Sequence, residues 1–187
     1  MVTSMDKESR KIKLTQYFNE LESDGRDYSK LKRFLMDESD YLIAPASTKY
    51  HGAVDGGLFY HSELVSEQLI DFTNKLGLEW SKSTSPRLVG LFHDICKVNV
   101  YNKVDRYGKS TWEYSDKSPL GHGEKSVIMI LRLFPELTNE EMYCIRWHMG
   151  AFDSDTNWNN FTNSIKCYHN VLWTHTADMV ASNFYNS

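Results

Sequence analysis

GLFHDICKV, Gly90 to Val98, is the stretch on which the reading of this chain turns. Six of its nine residues are apolar and belong inside a folded domain. His93 and Asp94 nevertheless stand side by side in its middle, with Lys97 three residues on. A buried carboxylate needs a counter-charge or a metal, because an unpaired buried charge is costly. The question is what His93 and Asp94 are paired with.

Upstream, Ser85 as N-cap and Pro86 at the first position predict a helix running to about Lys97. Before it, a helix is expected from about Leu58 to Leu76, with His61, Val65, Leu69 and Phe72 on one face. The segment DYLIAPASTKYHGAVDGG, 40–57, holds Pro45 and three glycines and reads as an irregular connection. Two amphipathic helices, 7–23 and 28–38, are expected ahead of it, broken near Asp24-Gly25. KESRKIK at the start of the first reads as a solvated helix face.

Downstream, β-forming residues alternate around a turn at 105–109, predicting a short hairpin between 98 and 116. GHGEKSVIMILRLF begins another helix, which Pro135 closes. Thr138 with Glu141 is a capping box for the helix of EEMYCIRWHMG, which Gly150 ends. AFDSDTNWNNFTNS, 151–164, reads as a polar loop, and 165–185 as one last helix. The fold class is therefore all-α: a single domain over 1–187, a helical bundle with a small β-hairpin insertion.

Composition narrows the function. The chain has 187 residues, 41% of them hydrophobic, and a net charge of -4, which gives no general electrostatic reason to bind duplex nucleic acid or an anionic membrane. No apolar run approaches the ~18 residues of a membrane span. The opening MVTSMDKESRKIKL lacks the apolar core of a secretory signal. Cys96, Cys144 and Cys167 are odd in number and lack a CxxC, so they read as small buried hydrophobes in a reducing cytoplasm.

Four histidines, His61, His93, His122 and His148, fall on four separate predicted helices or helix starts, and Asp178 adds a carboxylate on the last. Bundles build metal sites in this way, from inward side chains on facing helices. Imidazole plus carboxylate suits Mn, Fe, Co, Ni or Zn. The competing reading for each histidine alone is a hydrogen-bonded core residue, and spacing leaves both open.

The order H…HD…H…H…D, with HDICK and GHGEKS, resembles the HD superfamily of metal-dependent phosphohydrolases over roughly residues 48–182. YHGAVDGGLFYHSELV and LWTHTADMVAS are similar to the first and last helices of the HD domain of bacterial 3′–5′ exoribonucleases, and IRWHMGAFD resembles small stand-alone HD hydrolases. The resemblance implies that His61, His93, Asp94 and Asp178 hold a first divalent metal. It implies that His122 and His148 serve a second, where Mg is also possible, with Asp94 bridging. It gives Asp94 and Lys97 to catalysis, and Lys97 and His51 to phosphate or leaving-group contacts. YHG departs from the double histidine of the exoribonucleases, the GYP signature is absent, and no OB-type segment is legible. The expected substrate is therefore a nucleotide or short oligonucleotide rather than a long RNA or cyclic dinucleotide.

The expected activity is hydrolysis of a phosphoester or phosphoanhydride by metal-activated water. Deoxynucleoside triphosphohydrolase and 3′-end exonuclease or phosphodiesterase are the alternatives within that class. A non-catalytic HD module that binds a nucleotide is the alternative outside it. Trp147, beside His148, is a candidate for stacking a base. His175 reads either as orienting a ligand or as core, and His169 as surface. Lys125, Asp153 and Asp155 are weaker candidates for substrate contact, with solvation as the competing reading.

Overall fold

The computed structural model describes residues 5–48, 52–151 and 157–185. Among these residues it is mostly helical, with eight α-helices and one two-stranded antiparallel sheet. The helices are α1 (Lys7–Leu21), α2 (Ser29–Arg33, extended by a wider π turn over Phe34–Glu38), α3 (Gly57–Leu76), α4 (Ser85–Phe92), α5 (His122–Leu133), α6 (Asn139–Arg146), α7 (Trp158–Cys167) and α8 (Asn170–Val180). Strands β1 (Tyr101–Arg106) and β2 (Lys109–Tyr114) form the expected hairpin between α4 and α5. Its tip is Tyr107-Gly108, both at positive φ, the conformation a two-residue hairpin turn requires.

Helix α3 lies against α4 and α8, and α6 against α4, α5 and α8. One apolar cluster runs through all of them and takes in Leu14, Phe18 and Leu21 of α1. Phe18 stacks on Phe92 at 5.8 Å, and Tyr28 on Phe134 at 4.5 Å. Among the described residues no helix is long and apolar enough to cross a membrane.

Two glycines set the closest crossings. A Cβ on Gly90 would stand 2.2 Å from Ser66 Cα, so α4 touches the backbone of α3. A Cβ on Gly123 would stand 2.0 Å from the Arg146 carbonyl oxygen, so the start of α5 meets the end of α6. Only glycine permits either approach. These crossings bring His61 toward His93, and His122 toward His148.

A buried polar knot ties the N-terminal segment to the bundle. Arg26 donates from both terminal nitrogens to Glu141, at 2.8 and 2.9 Å, and from Nε to Asp24 at 2.8 Å. Glu141 also accepts from Ser85 Oγ and, as the expected capping box, from Thr138 N, both at 2.8 Å. Burial alone would raise Asp24, but its hydrogen bonds from Arg26 and Thr84 bring it down from 3.8 to about 2. A carboxyl depressed in the fold stabilises it above its unfolded pKa, and that contribution fades as pH falls through the folded value. Thermal melts should therefore show stability lost between about pH 4 and 2. An Asp24→Asn variant should show a flatter dependence over that interval, and identical pH profiles would refute the assignment.

Several expected boundaries are corrected. Thr84, not Ser85, precedes α4, and the Ser85 hydroxyl serves Glu141 instead. Helix α4 stops at Phe92 rather than Lys97, with a 3₁₀ turn over Ile95–Lys97. Helix α6 ends at Arg146, and Gly150, at φ 66°, closes the turn beyond it. The polar stretch 151–164 holds most of α7, because Phe161 packs on Trp147 and His175 at 5.9 and 5.6 Å and outweighs its weak helix formers. The single last helix is two, parted at Tyr168, whose backbone is extended. Cys167 is exposed, whereas Cys96 and Cys144 are buried as expected.

Candidate metal centre

The break after Phe92 explains how neighbours in sequence share one site. In a continuous α-helix, adjacent side chains diverge by about 100°. Here Asp94 leaves helical geometry, at φ -106° and ψ 21°. His93 Nε2 and Asp94 Oδ2 consequently lie 3.5 Å apart, although both residues are buried. His148 is delivered in a parallel way, one residue past Trp147, whose backbone takes nearly the same angles at φ -106° and ψ 14°.

Both imidazoles are oriented by their own chain segment. His93 Nδ1 lies 2.8 Å from the Gly90 carbonyl oxygen, and His148 Nδ1 lies 2.7 Å from that of Ile145. A carbonyl only accepts, so each Nδ1 carries the proton and each Nε2 is left to face the site. Such outer hydrogen bonds are how proteins hold a metal-binding histidine in the right tautomer. His175 donates from Nδ1 to the His148 carbonyl oxygen at 2.7 Å, which makes it a support for that turn.

Two groups of donors meet at Asp94. On one side, His61 Nε2 lies 3.1 Å from Asp178 Oδ1, 3.3 Å from His93 Nε2 and 3.8 Å from Asp94 Oδ2. On the other, Asp94 Oδ1 lies 3.4 Å from His148 Nε2 and 3.9 Å from His122 Nδ1. His61, His93 and Asp178 can hold a cation together, as can His93, Asp94 and His148, and as can Asp94, Cys96 and His122.

The charges are those of a compact ionic cluster. Burial alone would raise Asp94, but the Lys97 ammonium, 2.7 Å from Oδ2, and His93 hold it well below the usual carboxylate range. Asp178 is likewise kept low, against burial, by His61 and His93. Burial lowers His61, whereas Asp94 overcomes burial and raises His93. Asp94 and Cys96 lift His122 to about 10.

Asp94 Oδ1 and His148 Nε2 are two of the five buried side-chain atoms, among the described residues, that have no hydrogen-bond partner. These two face each other across 3.4 Å, a spacing that suits a cation held between them. The donor chemistry, four imidazoles and two carboxylates, suits a divalent transition metal. The residues present therefore fit such an ion.

All six residues expected to hold metal converge here, five of them buried and His122 at the exposed rim. Lys97 reaches the cluster through Asp94. Trp147 is 6% exposed, packed at a tilt against Phe161 and covered by the Arg146 guanidinium at 4.1 Å, so its ring sits in the core. Lys125 pairs with Asp116, and His169 is exposed. His51, Asp153 and Asp155 lie outside the described residues. Cys96 is the site neighbour that sequence reading assigned to the core alone; its position two residues after Asp94 was the available signal.

The mostly helical architecture with this buried cluster is compatible with an HD-like fold. No family model matches the chain, and no curated protein or solved structure matches it either.

Proposed function

We propose that this protein is a metal-dependent phosphohydrolase of the HD type, organised as one domain over 1–187, that cleaves a phosphoester or phosphoanhydride of a nucleotide or short oligonucleotide. The observation that carries the reading is Asp94, a buried carboxylate with one oxygen toward His61 and His93 and the other toward His122 and His148. His61, His93, Asp94 and Asp178 would hold one divalent cation, and Asp94, His122 and His148 a second. When bound, such cations neutralise phosphoryl oxygens and make water more acidic.

The chain's own residues supply the rest. The oxygen of the attacking water forms the new bond to phosphorus as the bond to the leaving group breaks, and Asp94 is the carboxylate placed to orient that water and take its proton. Lys97, anchored on Asp94 Oδ2, offsets negative charge that grows on the phosphoryl oxygens. The carbonyl-locked His93 and His148 keep their Nε2 atoms aimed without reorganisation. The apolar residues around GLFHDICKV exclude bulk water and strengthen these interactions.

The purified protein is expected to carry one or two equivalents of divalent metal by elemental analysis. It should hydrolyse at least one member of a panel of nucleoside mono-, di- and triphosphates, cyclic nucleotides and short RNA in Mn2+ or Co2+. Chelation should abolish that turnover. Metal without turnover on any of them would favour a nucleotide-binding module, and no metal after reconstitution would sink the reading.

A further inference from the structure

We infer that the cation position on the Asp94 Oδ1 side is a thiolate site, in which Cys96 joins Asp94 and His122 and selects zinc-like cations over Mg2+ or Mn2+. This rests on the metal-dependent reading above and adds to it a donor and a selectivity.

The donor atoms of Cys96, Asp94 and His122 all lie within 4.8 Å of one another. Cys96 is 4% exposed, and its backbone N–H is held by Ser126 Oγ of α5 at 3.3 Å, which fixes the turn that carries it. A cysteine acting as a small hydrophobe has apolar neighbours. This one instead faces an imidazole and a carboxylate. Independently, Asp94 Oδ1 is buried without a hydrogen-bond partner. Three donors of three kinds, carboxylate, thiol and imidazole, thus converge beside a buried carboxylate oxygen that no hydrogen bond satisfies.

The opposite side has a different composition. His61, His93, Asp94 and Asp178 offer nitrogen and oxygen only. Thiolate favours softer cations such as Zn2+ and Co2+, whereas Mg2+ and Mn2+ prefer oxygen. The two positions are therefore unequal in chemistry, and the pair is built for two different ions or for one soft ion bound in preference. On ligation the thiol proton passes to bulk water as the sulfur takes the cation.

The test is a Co2+ titration of the protein after removal of metal by chelation. Visible d–d bands report Co2+ in either position, and a near-ultraviolet sulfur-to-cobalt charge-transfer band reports thiolate ligation. The parent and a Cys167→Ser control should show both. Cys96→Ser, with helical content checked by circular dichroism, should lose the charge-transfer band and keep the d–d bands. Zn2+ should displace the band and an equal concentration of Mg2+ should not. The Cys96→Ser variant should bind its second Zn2+ at least about tenfold more weakly. Visible bands without the charge-transfer band in the parent would overturn the thiolate site while leaving a metal centre. A band that survives in Cys96→Ser would overturn Cys96 as its source. No Co2+ uptake at all would overturn the metal-dependent reading with it.

Discussion

Asp94→Asn should leave a folded helical protein that has lost its metal and its turnover together. Asparagine keeps the shape of the side chain, and its oxygen can still accept from Lys97, so the buried ammonium is not stranded. What disappears is the negative charge that two groups of donors share. Removing residues that merely support metal ligands costs about 10–100-fold in affinity or activity, so removing a shared ligand should exceed about a hundredfold. Elemental analysis and the substrate panel read the two losses separately, and circular dichroism checks the fold. A variant that keeps metal and turns over at a near-parental rate would remove Asp94 from the centre.

The largest expected effect on stability lies elsewhere. Arg26→Met should strand two carboxylates, since Arg26 is the cation that meets both Asp24 and Glu141. The guanidinium also lies over the rings of Tyr28 and Phe134, 5.5 and 5.1 Å from their centroids, so packing is lost with the charge. Breaking a buried pair from one side costs about 3–5 kcal/mol. In a chain of this size that corresponds to a melting temperature lowered by about 6–20 °C. Adding Glu141→Gln should recover part of the loss, because a neutral amide tolerates burial better than an unpaired carboxylate. A single variant melting within a degree or two of the parent would show that the knot is not structural.

These two residues mark what could be read from the chain alone. His61, His93, His122, His148 and Asp178 were legible because each sits in a helical pattern, and the adjacent His93-Asp94 in an apolar run demands a partner. The capping box at Thr138 and the hairpin were legible because their signals span only a few residues. The Arg26–Glu141 bond was not: 115 residues separate its ends, and no local pattern announces it. The end of α4 was hidden because the apolar run continues past Phe92 and keeps helical period. The polar asparagines of α7 concealed a helix held by Phe161, with Ile165 packed against the same core. Cys96 was masked by the same apolar run that made His93 conspicuous.

The imidazole of His93 and that of His148 each bite a carbonyl three residues back in the same turn. The aim of these two rings is thus inherited from a handful of consecutive residues, whereas Asp178 owes its place to how α8 rests on α3 and α6. Warming the molecule toward its melting point should accordingly blur the centre unevenly. The rings would hold their bearing for as long as their short segments stayed wound, and the carboxylate from α8 would drift away first.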